Sequence, residues 1–113
     1  MLVRKSAEVS PVPYPGGIQK RVLVGPAQGA PTFVMRQFEV PPGSESPYHT
    51  HDWEHEVYIL AGSGAAVSEG GETPVQPGDA VLVPPNELHC FRNTGPQTLT
   101  FLCLVPLRGE DSR

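Results

Sequence analysis

Residues 43–62 read GSESPYHTHDWEHEVYILAG and contain three of the four histidines of the chain. His49 and His51 are separated by one residue, so on an extended strand both imidazoles project from the same face. His55 follows after three further residues, which is enough for a tight turn into the next strand. The stretch therefore predicts two strand segments that bring three imidazoles to one point.

The fourth histidine lies in a second stretch, residues 78–93, which reads GDAVLVPPNELHCFRN. It stands at the start of a predicted strand, directly after a turn that contains Pro84 and Pro85. Imidazole is the usual nitrogen ligand of zinc, copper, iron and nickel, and it binds them in its neutral form. A single His-x-His pair also occurs on surface strands, where it is simply exposed or hydrogen-bonded. The complete set predicts a metal site formed by His49, His51, His55 and His89.

The rest of the chain has the pattern of many short strands. Apolar residues alternate with polar ones or form short runs rich in β-branched and aromatic side chains. Turn sequences separate these runs, among them Pro41-Pro42-Gly43 and Pro77-Gly78-Asp79. This pattern predicts an all-β antiparallel sandwich or barrel without helices. The predicted strands are Arg21–Val24, Thr32–Val40, Tyr48–His51, His55–Ala61, Gly64–Ser68, Thr73–Gln76, Ala80–Val83, His89–Arg92 and Thr98–Val105.

With 113 residues, the chain is expected to form a single domain around one hydrophobic core. Residues 1–18 are expected to supply an N-terminal strand and an irregular crossing, because Ser10–Gly17 contains three prolines. Residues 108–113 are polar, and we expect them to form a frayed tail.

The composition argues against several classes of partner. A formal net charge of −4 does not suit a nucleic-acid partner, because binding phosphates requires a basic surface. No stretch approaches the roughly 20 apolar residues of a membrane-spanning helix. The N-terminal residues show no apolar core of a signal peptide, so we expect a cytoplasmic protein without a membrane partner. Cys90 and Cys103 lie in neighbouring apolar segments and are expected to be reduced, with a redox role as the alternative.

Both histidine stretches resemble the two sequence motifs of the cupin superfamily. The first motif matches Gly43, His49, His51, His55 and Gly62, and the second matches Gly78, Pro84, Asn86, His89 and Asn93. Two positions depart from the family pattern, since glutamate is usual at the place of His55 and glycine at the place of Asn86. The resemblance covers nearly the whole chain and implies a double-stranded β-helix, the jelly-roll barrel of the cupins.

A closer resemblance is carried by Trp53-Glu54-His55-Glu56 and by the ending Phe101-Leu102-Cys103-Leu104. Both are similar to the small manganese-binding cupins with four histidine ligands. This resemblance implies one divalent metal ion per chain, with manganese preferred and iron, nickel, copper or zinc as alternatives. It also implies a homodimer, since a lone small barrel leaves strand edges exposed.

Glu56 competes with His55 for the third ligand position, where the motif usually has glutamate. Six residues separate His55 from Gly62, as the motif requires, whereas five separate Glu56 from Gly62. Adjacent residues on a strand face opposite ways, so only one of the two can reach the metal. We therefore predict that His55 is the ligand.

Four neutral imidazoles would leave the metal without a negatively charged ligand, which favours an anionic substrate or ligand. On an octahedral ion they would also leave two adjacent positions open, as in reactive or substrate-binding sites. In related cupins, the strand faces that carry Phe101 with Cys103 and Arg36 with Phe38 line the barrel interior. We predict Phe38, Phe101 and Cys103 in the apolar wall of a substrate pocket and Arg36 as an anion-facing donor. Simple barrel core is the alternative for the two phenylalanines.

The predicted metal site and pocket are compatible with three functions. The leading hypothesis is a metal-dependent oxidoreductase of the dioxygenase type, acting on a small organic substrate. The second is a metal-dependent isomerase or lyase, in which the ion polarises a carbonyl or an enolate. The third is a non-catalytic module that binds a small molecule. No residue is assigned a catalytic role of its own, because one cupin fold hosts many activities.

Overall fold

Alternating apolar and polar residues form a series of short strands in the computed structural model, which describes residues 1–111. The strands are β1 Val12–Tyr14, β2 Ile18–Val24, β3 Phe33–Val40, β4 His55–Ala61, β5 Gly64–Ser68, β6 Gly71–Val75, β7 Ala80–Val83, β8 His89–Asn93 and β9 Leu99–Pro106. Single turns of 3₁₀ helix, Ser6–Glu8 and Pro26–Gln28, precede β1 and β3, and the short helix α1, Leu107–Asp111, follows β9.

The strands form two antiparallel sheets. One has six strands in the order β1-β2-β3-β9-β4-β7, and the other has three in the order β6-β5-β8. Apolar residues from both sheets make one core between them. This arrangement confirms the predicted all-β jelly-roll class.

The centre of the larger sheet shows why the sequence folds this way. In β3 and β9 every second side chain is buried, and the two strands pair along their whole length. Phe38 lies opposite Phe101, and Arg36 lies opposite Cys103. Each fully buried apolar side chain contributes about 1.5–3 kcal/mol relative to an exposed one, so the alternation itself selects the inward face. It thereby directs these four side chains into the barrel.

Two positions of the predicted motifs depend on a left-handed backbone. Gly62 has φ +82°, and an added Cβ would lie 2.5 Å from the carbonyl oxygen of Thr98. Only glycine satisfies both requirements, so the turn between β4 and β5 explains this motif position. Asn86 has φ 68° where the family usually has glycine. Asparagine tolerates this conformation better than other non-glycine residues, which accounts for the substitution.

The predicted strand Tyr48–His51 does not form. His49 makes a single antiparallel bridge to His89, with backbone N–O distances of 3.2 and 3.1 Å. The backbone N–H of Asn86 donates to the carbonyl of His51 at 2.7 Å. Pro47 has no N–H to donate, and the chain bends after His51, so a few isolated hydrogen bonds replace a ladder. The segment is nevertheless tied to the start of β8.

Residues 1–18, where an N-terminal strand and an irregular crossing were expected, contain β1, and a hairpin that was not expected joins β1 to β2. Tyr14 of β1 lies opposite Ile18 of β2, so β2 begins at Ile18 and not at the predicted Arg21. Gly16 and Gly17 adopt φ values of +94° and +72°, which glycine accepts readily. The Pro-Gly-Gly sequence is therefore a turn signal that the neighbouring prolines obscured.

The structure also corrects two expectations at the C-terminus. Residues 107–111 form the helix α1, although no helix was expected, and α1 packs on β9 and β3. Residues 108–111 are thus not frayed, and Glu110 is buried with its carboxylate 2.7 Å from Nζ of Lys20. This contact spans most of the chain, so local polarity could not reveal it. Residues 112 and 113 of the expected tail lie outside the described residues. Within residues 1–111, no helix has the length and apolar character needed to cross a membrane.

Candidate metal centre and its cavity

The four predicted ligands meet at one end of the barrel. His49 and His51 lie in the segment between β3 and β4, while His55 and His89 are the first residues of β4 and β8. The ring centroids are 4.5 Å apart for His51 and His55, and 5.1 Å apart for His49 and His89. The pair His55 and His89 is also separated by 5.1 Å. The strand starts thus bring the four rings into one cluster.

The ring nitrogens of three of these histidines form a close group, and the fourth histidine adjoins it. One nitrogen from each of His49, His51 and His89 lies within 4.8 Å of the others. Nε2 of His55 lies 2.7 Å from Nε2 of His51. Metal–nitrogen bonds of about 2.0–2.1 Å place neighbouring ligands roughly 3 Å apart and opposite ligands roughly 4 Å apart. His49, His51 and His89 are therefore grouped closely enough to share one ion, and His55 adjoins this group through its contact with His51.

Glu56, the competing candidate, faces away from this cluster. Its side chain is exposed on the outer face of β4, in register with Leu82 and Leu104. His55, the next residue, is only 8% exposed and points inward. The strict alternation of the strand therefore places an imidazole, and not the carboxylate, beside the other rings.

Backbone carbonyls orient two of the imidazoles. Nδ1 of His51 lies 2.9 Å from the carbonyl oxygen of Trp53, and Nδ1 of His89 lies 2.7 Å from that of Glu87. A carbonyl oxygen can only accept, so Nδ1 carries the proton in each ring and Nε2 presents its lone pair. Metal-binding imidazoles are usually held in this way.

His55 has a different partner. Its Nδ1 lies 3.0 Å from Sγ of Cys103, and Nη2 of Arg36 donates to the same sulfur at 3.0 Å. Nη1 of Arg36 donates to the carboxylate of Glu110 at 3.4 Å. A chain of contacts therefore runs from helix α1 to His55. Arg36, predicted as an anion-facing donor, already donates to two groups of the protein.

The surroundings hold three of the imidazoles in the neutral form. Burial is the largest cause that lowers the pKa of His49, His51 and His55. For His55 the pKa falls to about 2, with the positive charge of Arg36 as the second cause. At His51 the hydrogen bond to the carbonyl of Trp53 acts in the opposite direction. Neutral imidazoles are ready to bind a metal, since no proton has to be displaced.

Trp53 and helix α1 support the cluster from outside. The indole of Trp53 stacks on the ring of His51, with centroids 4.3 Å apart and an angle of 4° between the planes. A Cβ added at Gly109 of α1 would lie 2.8 Å from Nε1 of Trp53, so only glycine lets the helix approach so closely. Arg108 forms an ion pair with Asp52 at 2.5 Å and lies over the indole. Helix α1 thus packs against Trp53, whose indole stacks on the ring of His51.

A cavity of about 360 Å³ opens beside the imidazoles. Its walls are mainly aromatic, with the rings of Phe38 and Phe101 stacked 5.5 Å apart and those of Phe91 and Phe101 5.1 Å apart. Burial is the main cause that raises the pKa of Tyr14, so its phenol keeps its proton at neutral pH. The lining residues are Tyr14, Arg36, Phe38, Ser46, Pro47, His49, Thr50, His51, Trp53, His55, His89, Phe91, Phe101, Cys103 and Gly109.

All four residues predicted for the pocket, Arg36, Phe38, Phe101 and Cys103, line this cavity. Several lining residues were not predicted, among them Tyr14, Phe91 and Gly109. The Pro-Gly-Gly turn after Tyr14 indicates a hairpin, and this hairpin places Tyr14 on β1 at the edge of the larger sheet. Phe91 follows His89 by two residues on β8 and so shares its face, a signal that alternation offered. No local sequence pattern indicates that Gly109 lines the cavity.

Comparison with known proteins identifies the family of this barrel. A family model described as the cupin domain matches residues 36–105. An oxalate-binding protein from Thermotoga maritima is 36% identical over 75 residues, which cover 66% of this chain and 62% of that protein. A 1-methylthio-D-xylulose 5-phosphate methylsulfurylase from Rhodospirillum rubrum is 39% identical over 71 residues, which cover 63% of this chain and 46% of that protein. The chain thus spans less than two thirds of the length of either relative.

Solved structures show the same barrel. The polyketide cyclase RemF from Streptomyces resistomycificus superposes with a TM-score of 0.87 at 36% identity, covering 95% of this chain and 80% of that chain. A predicted oxalate decarboxylase from Thermotoga maritima superposes with a TM-score of 0.81 at 29% identity, covering 94% of this chain and 99% of that chain.

Proposed function

The chain belongs to the cupin domain family, and we propose that it is a metal-dependent enzyme acting at a carbonyl or enolate oxygen of a small organic substrate. The observation that carries this proposal is the convergence of four imidazoles on an aromatic cavity that no carboxylate of the described residues lines. A divalent ion held by neutral ligands keeps its full positive charge for the substrate.

We propose His49, His51, His55 and His89 as the ligands of one divalent ion. Manganese is preferred, and iron, nickel, copper or zinc are the alternatives, since imidazole suits several of these metals. When bound, the ion supplies Lewis acidity, which polarises a carbonyl or stabilises the negative charge of an enolate.

The residues of the chain then have distinct tasks around the substrate. Phe38 and Phe101 contact its apolar part and exclude water, which strengthens electrostatic interactions in the cavity. The neutral phenol of Tyr14 is available as a hydrogen-bond donor to a substrate oxygen. Trp53 and Cys103 hold His51 and His55 in place, through the stacked indole and the contact with Nδ1 respectively.

Similarity to a polyketide cyclase supports chemistry at a carbonyl. The cyclase shares the fold over 95% of this chain at 36% identity, and its name describes a ring closure. We therefore rank a cyclase-, isomerase- or lyase-type reaction above the dioxygenase-type oxidoreductase expected first from the sequence. The oxidoreductase stays a prediction, because imidazoles would also hold a redox-active ion such as iron or manganese. Similarity to an oxalate-binding protein supports binding without turnover as the second candidate.

The proposed homodimer finds support on the outer face of the larger sheet. Tyr58, Leu60 and Leu82 are 46%, 42% and 63% exposed, and they lie on the adjacent strands β4 and β7. Exposed apolar side chains on one face of a sheet are often contact surfaces between proteins. Sedimentation equilibrium of the full chain tests this proposal, and a monomer at micromolar concentration would refute it.

Metal analysis tests the proposed site first. Purified protein should hold close to one metal ion per chain, His55→Ala should lose or sharply weaken binding, and Glu56→Ala should retain it. Loss with Glu56→Ala instead would mean that the carboxylate is the ligand. Absence of metal from all three proteins, after incubation with manganese and with zinc, would refute the metal site.

The reaction class needs a second measurement. Metal-loaded protein is incubated in D₂O with an aryl methyl ketone, and deuterium next to the carbonyl is followed by NMR while oxygen uptake is recorded. Exchange above the rate of free metal, abolished by His55→Ala and without oxygen uptake, is the expected result. Oxygen uptake that depends on the substrate would favour the oxidoreductase. Saturable binding of the ketone without either reaction would favour the binding module.

A further inference from the structure

The cavity wall carries positive charge and no acidic side chain. Among the described residues that line it, Arg36 is the only one charged at neutral pH apart from any imidazole, and neither aspartate nor glutamate is present. Arg36 is 5% exposed, so its charge is poorly screened by water. The charge on this wall therefore suits an organic anion better than an organic cation or a simple hydrocarbon.

Among residues 1–111, the geometry of the buried ion pairs behind this wall has two cations on one carboxylate. Lys20 and Arg36 both pair with the carboxylate of Glu110, at 2.7 and 3.4 Å. All three side chains are buried, so two positive charges share one negative charge away from water. A buried charge without a full counter-charge is costly, and an anion in the cavity would reduce that cost.

Arg36 also retains hydrogen-bonding capacity. A guanidinium group has five N–H donors. Its contacts within the described residues go to Cys103 and Glu110, and Nε has no hydrogen-bond acceptor there. The guanidinium lies over the ring of Phe38, with Cζ 4.9 Å from the ring centroid, so charge and aromatic surface adjoin each other.

We propose that the substrate of this site is an aromatic or polyene acid, whose carboxylate or enolate faces Arg36 while its flat apolar part lies among Phe38, Phe91 and Phe101. The proposal rests on the proposed function for the location of the site, and it assigns the class of substrate. Flat rings pack favourably against aromatic side chains such as these. The anion is recognised by the positive charge of Arg36 even before a metal is present.

Binding measurements with two ligands of equal shape test the proposal. We would titrate protein freed of metal with a chelator, and zinc-loaded protein, with 1-naphthoate and with the neutral 1-naphthamide by calorimetry. The chain has one tryptophan, so the indole N–H of Trp53 gives a single NMR signal that reports binding in the cavity. Metal-free wild type should bind naphthoate at least tenfold more tightly than naphthamide, with a shift of this signal.

Variants of arginine identify the source of the preference. Arg36→Met should reduce it to less than about threefold, since the charge is removed while much of the apolar stem remains. Arg21→Met is the matched control, because Arg21 pairs with Glu39 at 2.9 Å and does not line the cavity. It should retain the preference in full. If Arg36→Met does not fold, Arg36→Lys keeps the charge and should retain a weaker preference.

Each outcome decides a different claim. Equal affinity for the acid and the amide in wild type would refute the acidic substrate class. A preference that survives Arg36→Met would refute the role of Arg36. Both results come from metal-free protein, so they remain valid if no metal binds and the proposed enzyme function fails. Conversely, the protein could bind metal and still have equal affinity for naphthoate and naphthamide. That result would support the metal site and refute only the acidic class of substrate.

Discussion

The burial of His55 makes the stability of the metal-free protein depend on pH. Its pKa falls from 6.5 to about 2 in the folded chain, chiefly because the ring is buried. Below pH 6.5 the unfolded chain takes up a proton on this imidazole, whereas the folded chain does not. The unfolded state therefore binds more protons, and the free energy of unfolding falls as the pH falls. The loss begins near pH 6.5 and continues toward the folded-state pKa.

The size of this effect follows from the two protonation equilibria. At pH 5.5 about ten of eleven unfolded imidazoles are protonated, so the contribution is RT ln 11, or about 1.4 kcal/mol. At pH 4.5 it rises to about 2.7 kcal/mol on the same basis. His49 and His51, whose pKa values are also lowered by burial, add to the loss in the same direction.

Urea unfolding of chelator-treated protein between pH 7.5 and 4.5 measures this slope. His55→Gln removes the titrating group, so its stability should fall less between pH 7.5 and 5.5, by about 1.4 kcal/mol compared with wild type. The comparison uses the change with pH within each protein, which tolerates a lower absolute stability of the variant. Parallel curves for wild type and His55→Gln would refute the argument that His55 is neutral and buried in the metal-free state.

Three further changes test other parts of the structure. Glu110→Gln should lower the free energy of unfolding by about 3 kcal/mol, because it leaves the buried charges of Lys20 and Arg36 unpaired; a loss below about 1 kcal/mol in urea unfolding would contradict a buried ion-pair role. Gly62→Ala should cost at least about 2 kcal/mol, because the left-handed backbone and the carbonyl at 2.5 Å both oppose a Cβ, and an unchanged melting temperature would contradict this. Trp53→Leu should weaken zinc binding about tenfold by calorimetry while Trp53→Phe retains most of it, since phenylalanine can still stack on the imidazole; equal loss in both variants would argue against stacking as the reason.

The strands and the imidazole cluster could be predicted because their signals are local. Alternation in Phe33–Val40 and Leu99–Pro106 fixes which side chains enter the barrel, and this is a property of neighbouring residues. Alternation also requires that His55 and Glu56 face opposite ways, and the spacing to Gly62 favoured His55; in the structure His55 is buried and Glu56 is exposed.

The C-terminal helix and the buried ion pairs could not be predicted in this way. Lys20 and Glu110 are separated by 90 residues, and neither has a local sequence signal for burial. The helix α1 has only five residues, which is too short to show a helical period. Its position depends on Gly109, whose missing side chain allows contact with Trp53, and on the ion pair of Glu110. Tertiary contacts of this kind decide the structure only once the barrel exists.

The presence of histidine instead of glutamate at position 55 bears on the class of substrate, because it changes where negative charge lies around the cavity. A glutamate at position 55 would place a carboxylate among the metal ligands and offset part of the ion's charge. Here that position is His55, and the carboxylate that faces the barrel interior belongs to Glu110, where Lys20 and Arg36 already share it. Within residues 1–111, the buried charged groups next to the cavity thus include two cations and one carboxylate, and a divalent ion would increase the difference. An anionic substrate is the component that restores the balance, which is why the proposed metal chemistry and the proposed acidic substrate belong to the same site.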